Sequence, residues 1–173
     1  MVTPEQEIWL THLSNTNSTK IYPFDPSSSK KFEKLKEQIQ ILIGTDIGVV
    51  HRGSTSLGIS DQGELDVYIP VAPEKFDSLL TSIERLFGKP TSLYPLERAR
   101  FVTSVDGTKA EVFVINIEGR GWIDGCRFEK YLKENAEALE AYRKLKEDGQ
   151  GLSTREYYRR KIEFLNDILS KHT

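Results

Sequence analysis

Two short stretches of this chain carry residue types that could do chemistry together. His51-Arg52-Gly53-Ser54-Thr55-Ser56 reads as an exposed turn of small residues, and Gly63-Glu64-Leu65-Asp66-Val67-Tyr68-Ile69 follows it after a short loop. Successive side chains of a strand point to opposite faces, so Glu64 and Asp66 share one face while Leu65, Val67, Ile69 and Val71 take the other. Two carboxylates held side by side repel unless solvent, a cation or a metal stands between them. Oxygen ligands in this arrangement suit Mg²⁺, with substrate phosphates completing the octahedron, which is the chemistry of nucleotidyl transfer. Taken alone, the alternation more often describes a half-buried strand with a solvated acidic face. The Gly53-Ser54 turn supplies the other half of a site. Glycine lets backbone approach a ligand closely, and the serine offers both its N–H and its hydroxyl to a phosphate.

A glycine-serine turn followed by a strand with two spaced acids resembles the signature of the polymerase β-like nucleotidyltransferase superfamily. Within it, His51-Arg52-Gly53-Ser54-Thr55-Ser56 is similar to the H-x-G-S-T-S motif of the GrpB family. Ile21-Tyr22-Pro23-Phe24-Asp25-Pro26 resembles the family's P-Y-D-P segment, and Phe32-Glu33 sits where a helix begins in relatives. Trp122, Phe128, Tyr131 and Leu132 match a W…F-x-x-Y-L pattern, and Tyr157 with Lys161 resembles a Y-x-x-x-K near the family's C-terminus. The likeness covers about residues 20 to 170. Two stretches depart from it. Ser56-Leu57-Gly58-Ile59-Ser60-Asp61-Gln62-Gly63 lacks the Pro and Lys of the usual S-V-P-G-L-x-x-K-P loop, and Glu64 stands where relatives often carry an apolar residue. The complete E-x-D is closer to the broader superfamily.

The resemblance implies an α+β fold, a nucleotidyltransferase-like mixed sheet flanked by helices with a helical C-terminal portion. It further implies Mg²⁺ or Mn²⁺ held by Glu64, Asp66 and a third carboxylate from a later strand, for which Glu111 is the candidate by position. Many GrpB relatives carry H-L-H there instead. By the same likeness Gly53 and Ser54 cradle an NTP, and Arg52 and Lys161 are cations able to pair with its triphosphate. Solvated ion pairs are the commoner use of such Arg and Lys side chains. The acceptor, whether small molecule, nucleic acid or protein, is written in no motif. A noncatalytic module on the same fold, binding a nucleotide or a protein partner, is the alternative.

Composition permits this architecture. A chain of 173 residues with 38% hydrophobic content fits one domain, with a helix and linker over 1–19, a sheet-bearing core over 20–121 and a helical portion over 122–173. The net charge of −2 comes from mixed signs without a basic tract, so nonspecific affinity for duplex nucleic acid is not expected. A lone Cys126, a start without signal-peptide character and no apolar run of membrane-spanning length predict a cytoplasmic protein with no membrane attachment. Cys126 has no base beside it in sequence and reads as an inert thiol.

The elements that must position the acids are legible in outline. Thr3-Pro4-Glu5-Gln6 reads as a capping box opening a short helix with Ile8, Trp9, Leu10 and Leu13 as its apolar stripe. A second helix begins near Ser28 with Phe32, Leu35, Ile39, Leu42 and Ile43 on one face, and Ile47–His51 reads as a short buried strand leading into the turn. Glu74–Phe87 predicts a helix burying Phe76, Leu79, Leu80, Ile83 and Leu86, stopped by Gly88 and Pro90. Arg98–Val105 and Lys109–Ile115 read as strands joined at Asp106-Gly107, the dipeptide suited to a tight hairpin. On the second of these Glu111 shares a face with Phe113 and Ile115, and an exposed acid beside the turn is as fair a reading as a metal ligand. Ile117–Gly121 reads as a loop, Arg127 as the start of the helical half, and Thr154–Lys171 as the last helix with Tyr158, Ile162, Leu165 and Leu169 inward. His51 reads as a hydrogen-bonded structural histidine, since neither His12 nor His172 offers ligand spacing with it.

Overall fold

The strand that carries the two acids lies well inside a sheet in a computed structural model of the chain, which describes residues 1–171; His172 lies outside the described residues. Strand β2, Glu64–Val71, alternates as its sequence demands, with Leu65, Val67, Ile69 and Val71 buried and Glu64, Asp66, Tyr68 and Pro70 on the opposite face. The sheet has five strands: β1 Val50–Arg52, β2, β3 Ser92–Tyr94, β4 Arg98–Val105 and β5 Thr108–Asn116, in the spatial order β1-β2-β5-β4-β3. β2 and β5 run parallel and the other neighbours antiparallel, so the sheet is mixed. Pro70 is tolerated in β2 because β1 pairs only as far as Tyr68, leaving no ladder donor missing on that side.

β4 and β5 turn on Asp106 and Gly107, both at positive φ (47° and 76°), the backbone of a two-residue hairpin whose twist matches its strands. The parallel β2–β5 pair needs a long crossover. It runs through a single 3-10 turn at Pro73–Lys75, helix α4 (Phe76–Phe87), β3 and β4. Gly88, at φ +79°, ends α4. The buried face of the sheet packs against α4 and helix α2 (Ser28–Ile43), with Phe32, Leu35, Ile39, Phe76, Leu79 and Ile83 meeting Leu65, Val67, Ile69, Phe101, Val112 and Val114. The helix α3, Gly53–Ser56, is a single turn between β1 and the loop to β2.

The described residues fall into two compact units, and this sheet with α2, α3 and α4 forms one of them, Phe24–Ile59 with Gly63–Ile123. The other comprises Met1–Pro23, Ser60–Gln62 and the described residues from Asp124 to Lys171. Its helices are α1 (Pro4–Thr11), most of α5 (Arg120–Glu134), α6 (Ala136–Glu147) and α7 (Thr154–Lys171). α1 opens with the capping box expected of Thr3 and Gln6. The second unit is built on aromatics: Phe128 meets Tyr142 edge-on at 5.3 Å, Tyr142 stacks on Phe164 at 5.4 Å, and Tyr157 is fully buried beside Gly149, where a β-carbon would lie 2.4 Å from its ring. No helix among the described residues is long and apolar enough to cross a membrane.

Several local expectations are corrected. β1 is shorter and later than Ile47–His51, because the turn at Gly44-Thr45-Asp46 leaves Ile47 and Gly48 in a loop, and it is an edge strand with Val50 37% exposed. Leu42, Leu86 and Ile8 are exposed rather than inward, so each helix buries a narrower stripe than its apolar residues suggest. On α7 the buried positions are Tyr157 and Ile168, and Tyr158 is only half-buried. α5 begins seven residues before Arg127, at Arg120: Asn116 accepts the Glu118 N–H on its side chain, and the N–H groups of Trp122 and Ile123 both donate to Gly119 O. A glycine inside a helix costs only about 1 kcal/mol, which tertiary contacts of Trp122 can offset.

Candidate metal centre

The fold brings the three expected carboxylates together. Parallel pairing sets Asp66 directly beside Glu111 and Glu64 beside Lys109, so the acids of two adjacent strands lie on one face. One ligand oxygen each from Glu64, Asp66 and Glu111 lie within 4.8 Å of one another. Glu111 is 8% exposed because β5 is a central strand with β2 on one side and β4 on the other. The exposed-acid reading of Glu111 is therefore overturned. The donor set is all carboxylate oxygen, without thiolate or imidazole, and it fits a hard divalent cation such as Mg²⁺ or Mn²⁺.

Two cations that were not singled out in the sequence face the cluster. Lys109 Nζ donates to Glu64 Oε2 at 2.6 Å and to Glu111 Oε1 at 2.8 Å, bridging the two strands. Arg100 Nη1 donates to the same Glu111 oxygen at 3.2 Å, while its Nε donates to Thr91 Oγ1 at 3.2 Å. Burial works against the Lys109 charge, but the hydrogen bonds to Glu111 and Glu64 outweigh it and raise the group above the ordinary lysine range, so it stands as an ammonium. Period-two spacing already placed Lys109 on the Glu111 face, and the hairpin turn fixed Val102 opposite Glu111 and Arg100 opposite Phe113. Both cations were readable by that reasoning.

The turn packs directly against the acids. Arg52 pairs across β1 and β2 with Asp66, and Gly53 follows at φ +73° with Asp66 against its Cα. Ser54 is 5% exposed and Thr55 7%, so the turn is a buried helical turn rather than an exposed one. Ser56 Oγ donates to Gly53 O at 2.8 Å, and Leu57 and Ile59 N–H groups donate to Ser54 O, which pins the turn from both sides. His51 points to the other side of β1. Its Nε2 pairs with Thr55 Oγ1 at 2.8 Å and its ring stacks on Phe32 at 4.8 Å, the structural role read from sequence.

Beyond the acids the same face of the sheet is aromatic. Tyr68 stacks on Phe113 at 4.6 Å and lies 6.1 Å from Trp122, and Arg52 holds its guanidinium 4.8 Å from the Trp122 ring and 5.7 Å from that of Tyr68. Arg52 is 8% exposed, so its charge is enclosed by rings rather than extended into solvent. Burial, reinforced by the Asp66 charge, raises the Tyr68 phenol far above its usual range and keeps it a neutral O–H. Lys161 lies on α7 in the other unit, with its ammonium over the rings of Tyr158 (4.5 Å) and Tyr157 (5.2 Å).

The family profile described as GrpB protein matches residues 18–171. No protein of curated function matches the chain. Among solved structures it is similar to the crystal structure of conserved protein GrpB from Enterococcus faecalis, with a TM-score of 0.62 and 20% identity, covering 86% of this chain and 99% of that one. At that identity the likeness is one of fold.

Proposed function

The chain belongs to the GrpB family, and from that premise we propose that it is a nucleotidyltransferase moving a nucleoside monophosphate from an NTP to a hydroxyl acceptor. The observation that carries this reading is the convergence of Glu64, Asp66 and Glu111 on adjacent strands beside the Gly53-Ser54 turn. Glu64, Asp66 and Glu111 would hold Mg²⁺ or Mn²⁺, which when bound neutralises triphosphate charge and makes a coordinated hydroxyl more acidic. The acceptor oxygen would bond to the α-phosphorus while the bond from that phosphorus to the β-phosphate bridge breaks. Pyrophosphate would leave, and a carboxylate of the cluster would take the hydroxyl proton. Gly53, free of a β-carbon, keeps the turn against Asp66, so a phosphate held by the turn would lie beside the acids. Arg52, enclosed by Trp122 and Tyr68, would add fixed positive charge behind the turn. A cytoplasmic location accompanies this reading.

One observation favours a second reading. Lys109 and Arg100 already neutralise part of the carboxylate charge, so the cluster needs no divalent ion to be tolerable in the fold. A noncatalytic nucleotide-binding or protein-interaction module is served equally well by such an ion-paired cluster. Calorimetry with each of the four NTPs, with and without Mg²⁺, separates the two. Metal-dependent triphosphate binding together with pyrophosphate release in acceptor mixtures supports the enzyme. Metal-independent binding, or none, sinks it.

A further inference from the structure

We propose that Lys109 is the built-in counter-cation of the carboxylate cluster, and that a divalent ion loads by displacing its ammonium. The inference rests on the metal-site reading above. One nitrogen lies at hydrogen-bond distance from Glu64 Oε2 (2.6 Å) and Glu111 Oε1 (2.8 Å), on two of the three carboxylates a metal would use. A divalent ion bonds carboxylate oxygens at roughly 2.1 Å, so ion and ammonium compete for the same two carboxylates. The pair would also be like charges packed within one cluster, which is strongly unfavourable. Lys109 is the cation able to leave. It lies beside the β4–β5 hairpin turn with its side chain 48% exposed, on a flexible four-carbon stem. Arg100 is tied by Thr91 as well as by Glu111, and it reaches only one carboxylate. With the metal bound, the released ammonium stands at the mouth of the cluster as a cation for the phosphates of the NTP.

Two measurements on the full chain test this. In calorimetric Mn²⁺ titrations, Lys109→Met should bind about tenfold tighter than wild type, since the competitor for two of the ligands is gone. In wild type, acetylation of Lys109 by an amine-reactive reagent, mapped by mass spectrometry, should rise several-fold on Mn²⁺ saturation, with Lys89, 87% exposed, as the unchanged reference. Equal or weaker Mn²⁺ binding by Lys109→Met, or Lys109 acetylation indifferent to Mn²⁺, overturns the exchange. The labelling decides alone if the variant does not fold. Asp66→Asn separates the two levels of the argument. If it loses the Mn²⁺ response that wild type shows while Lys109→Met binds no tighter, the metal site stands and only the exchange falls. If wild type, Lys109→Met and Asp66→Asn all fail to bind Mn²⁺, the metal site itself is wrong and the exchange goes with it.

Discussion

A β-carbon on Gly53 would lie 2.1 Å from Oδ2 of Asp66 and 3.0 Å from its Cγ, so the glycine and the acid are fitted to each other. Gly53 also sits at φ +73°, which an L side chain adopts only with strain. Gly58, five residues on at φ +71°, has open space where its β-carbon would go. Gly58→Ala should therefore show backbone strain alone, about 1 kcal/mol, whereas Gly53→Ala should lose more, by about 2 kcal/mol or above, because Asp66 must also move. Urea denaturation of both variants gives the comparison. Equal losses would mean that Asp66 yields freely and that the fit between turn and acid does not constrain the site.

Glu111 faces two cations and is nearly enclosed, so its charge has a structural as well as a chemical role. Glu111→Gln preserves size but leaves Lys109 and Arg100 facing a weaker acceptor with one anion fewer. Metal-free stability should fall by about 1.5–3 kcal/mol, the range for hydrogen bonds to charged groups. Adding 0.5 M salt, on the order of magnitude that shrinks the Debye length below 5 Å, should narrow the gap between wild type and variant. Chemical denaturation at low and high salt reads both effects. A variant as stable as wild type would show that repulsion of Glu111 by Glu64 and Asp66 cancels what the two cations contribute.

Arg52 and Trp122 should be energetically coupled. The guanidinium lies 4.8 Å from the indole and is almost wholly removed from solvent, the condition under which a cation–π contact is strongest. A double-mutant cycle of Arg52→Met and Trp122→Leu should return a coupling of about 1–2 kcal/mol. Coupling near zero would mean that the rings merely fill space around Arg52, and its charge would then be held by other groups of the turn.

What could be read from the sequence, and what could not, follows from the range of the interactions involved. The alternation of β2 and the Asp106-Gly107 hairpin are local, and both stand as expected, as does α7 over Thr154–Lys171. The adjacency of Asp66 and Glu111 is not local. It depends on β2 and β5 pairing in parallel across a crossover of more than a helix, and no period in either strand fixes that register. Family resemblance supplied it instead. β3 was not anticipated, since three residues with two of them exposed leave no alternation to detect. The early start of α5 was hidden by Gly119, Gly121 and Gly125, which read as loop until Trp122 is seen packed with Tyr68 and Arg52. Lys109 went unremarked although its face was predictable, because a lysine beside a turn has the composition of solvated surface.

Asp25 should account for a defined part of the acid sensitivity of the fold. Oδ1 accepts from Ser27 N at 2.8 Å and Ser27 Oγ at 2.7 Å, and Oδ2 accepts from Lys31 Nζ at 2.6 Å, fixing the chain at the start of α2. The Lys31 and Ser27 hydrogen bonds hold its carboxyl down to about 2, from an ordinary value of 3.8. A depressed folded value means that the contribution of Asp25 is fully present above the unfolded pKa and disappears as the pH falls through the folded one. The window thus runs from about pH 4 down to about pH 2. Asp25→Asn keeps a side-chain oxygen for Ser27 while removing the charge that Lys31 meets, so the variant should be less stable than wild type near neutrality and the two should converge in acid. Urea midpoints measured from pH 6 to pH 2 check it. A difference between the two proteins that stays constant across that range would show that Asp25 acts through turn geometry alone, with its ionisation contributing nothing to the fold.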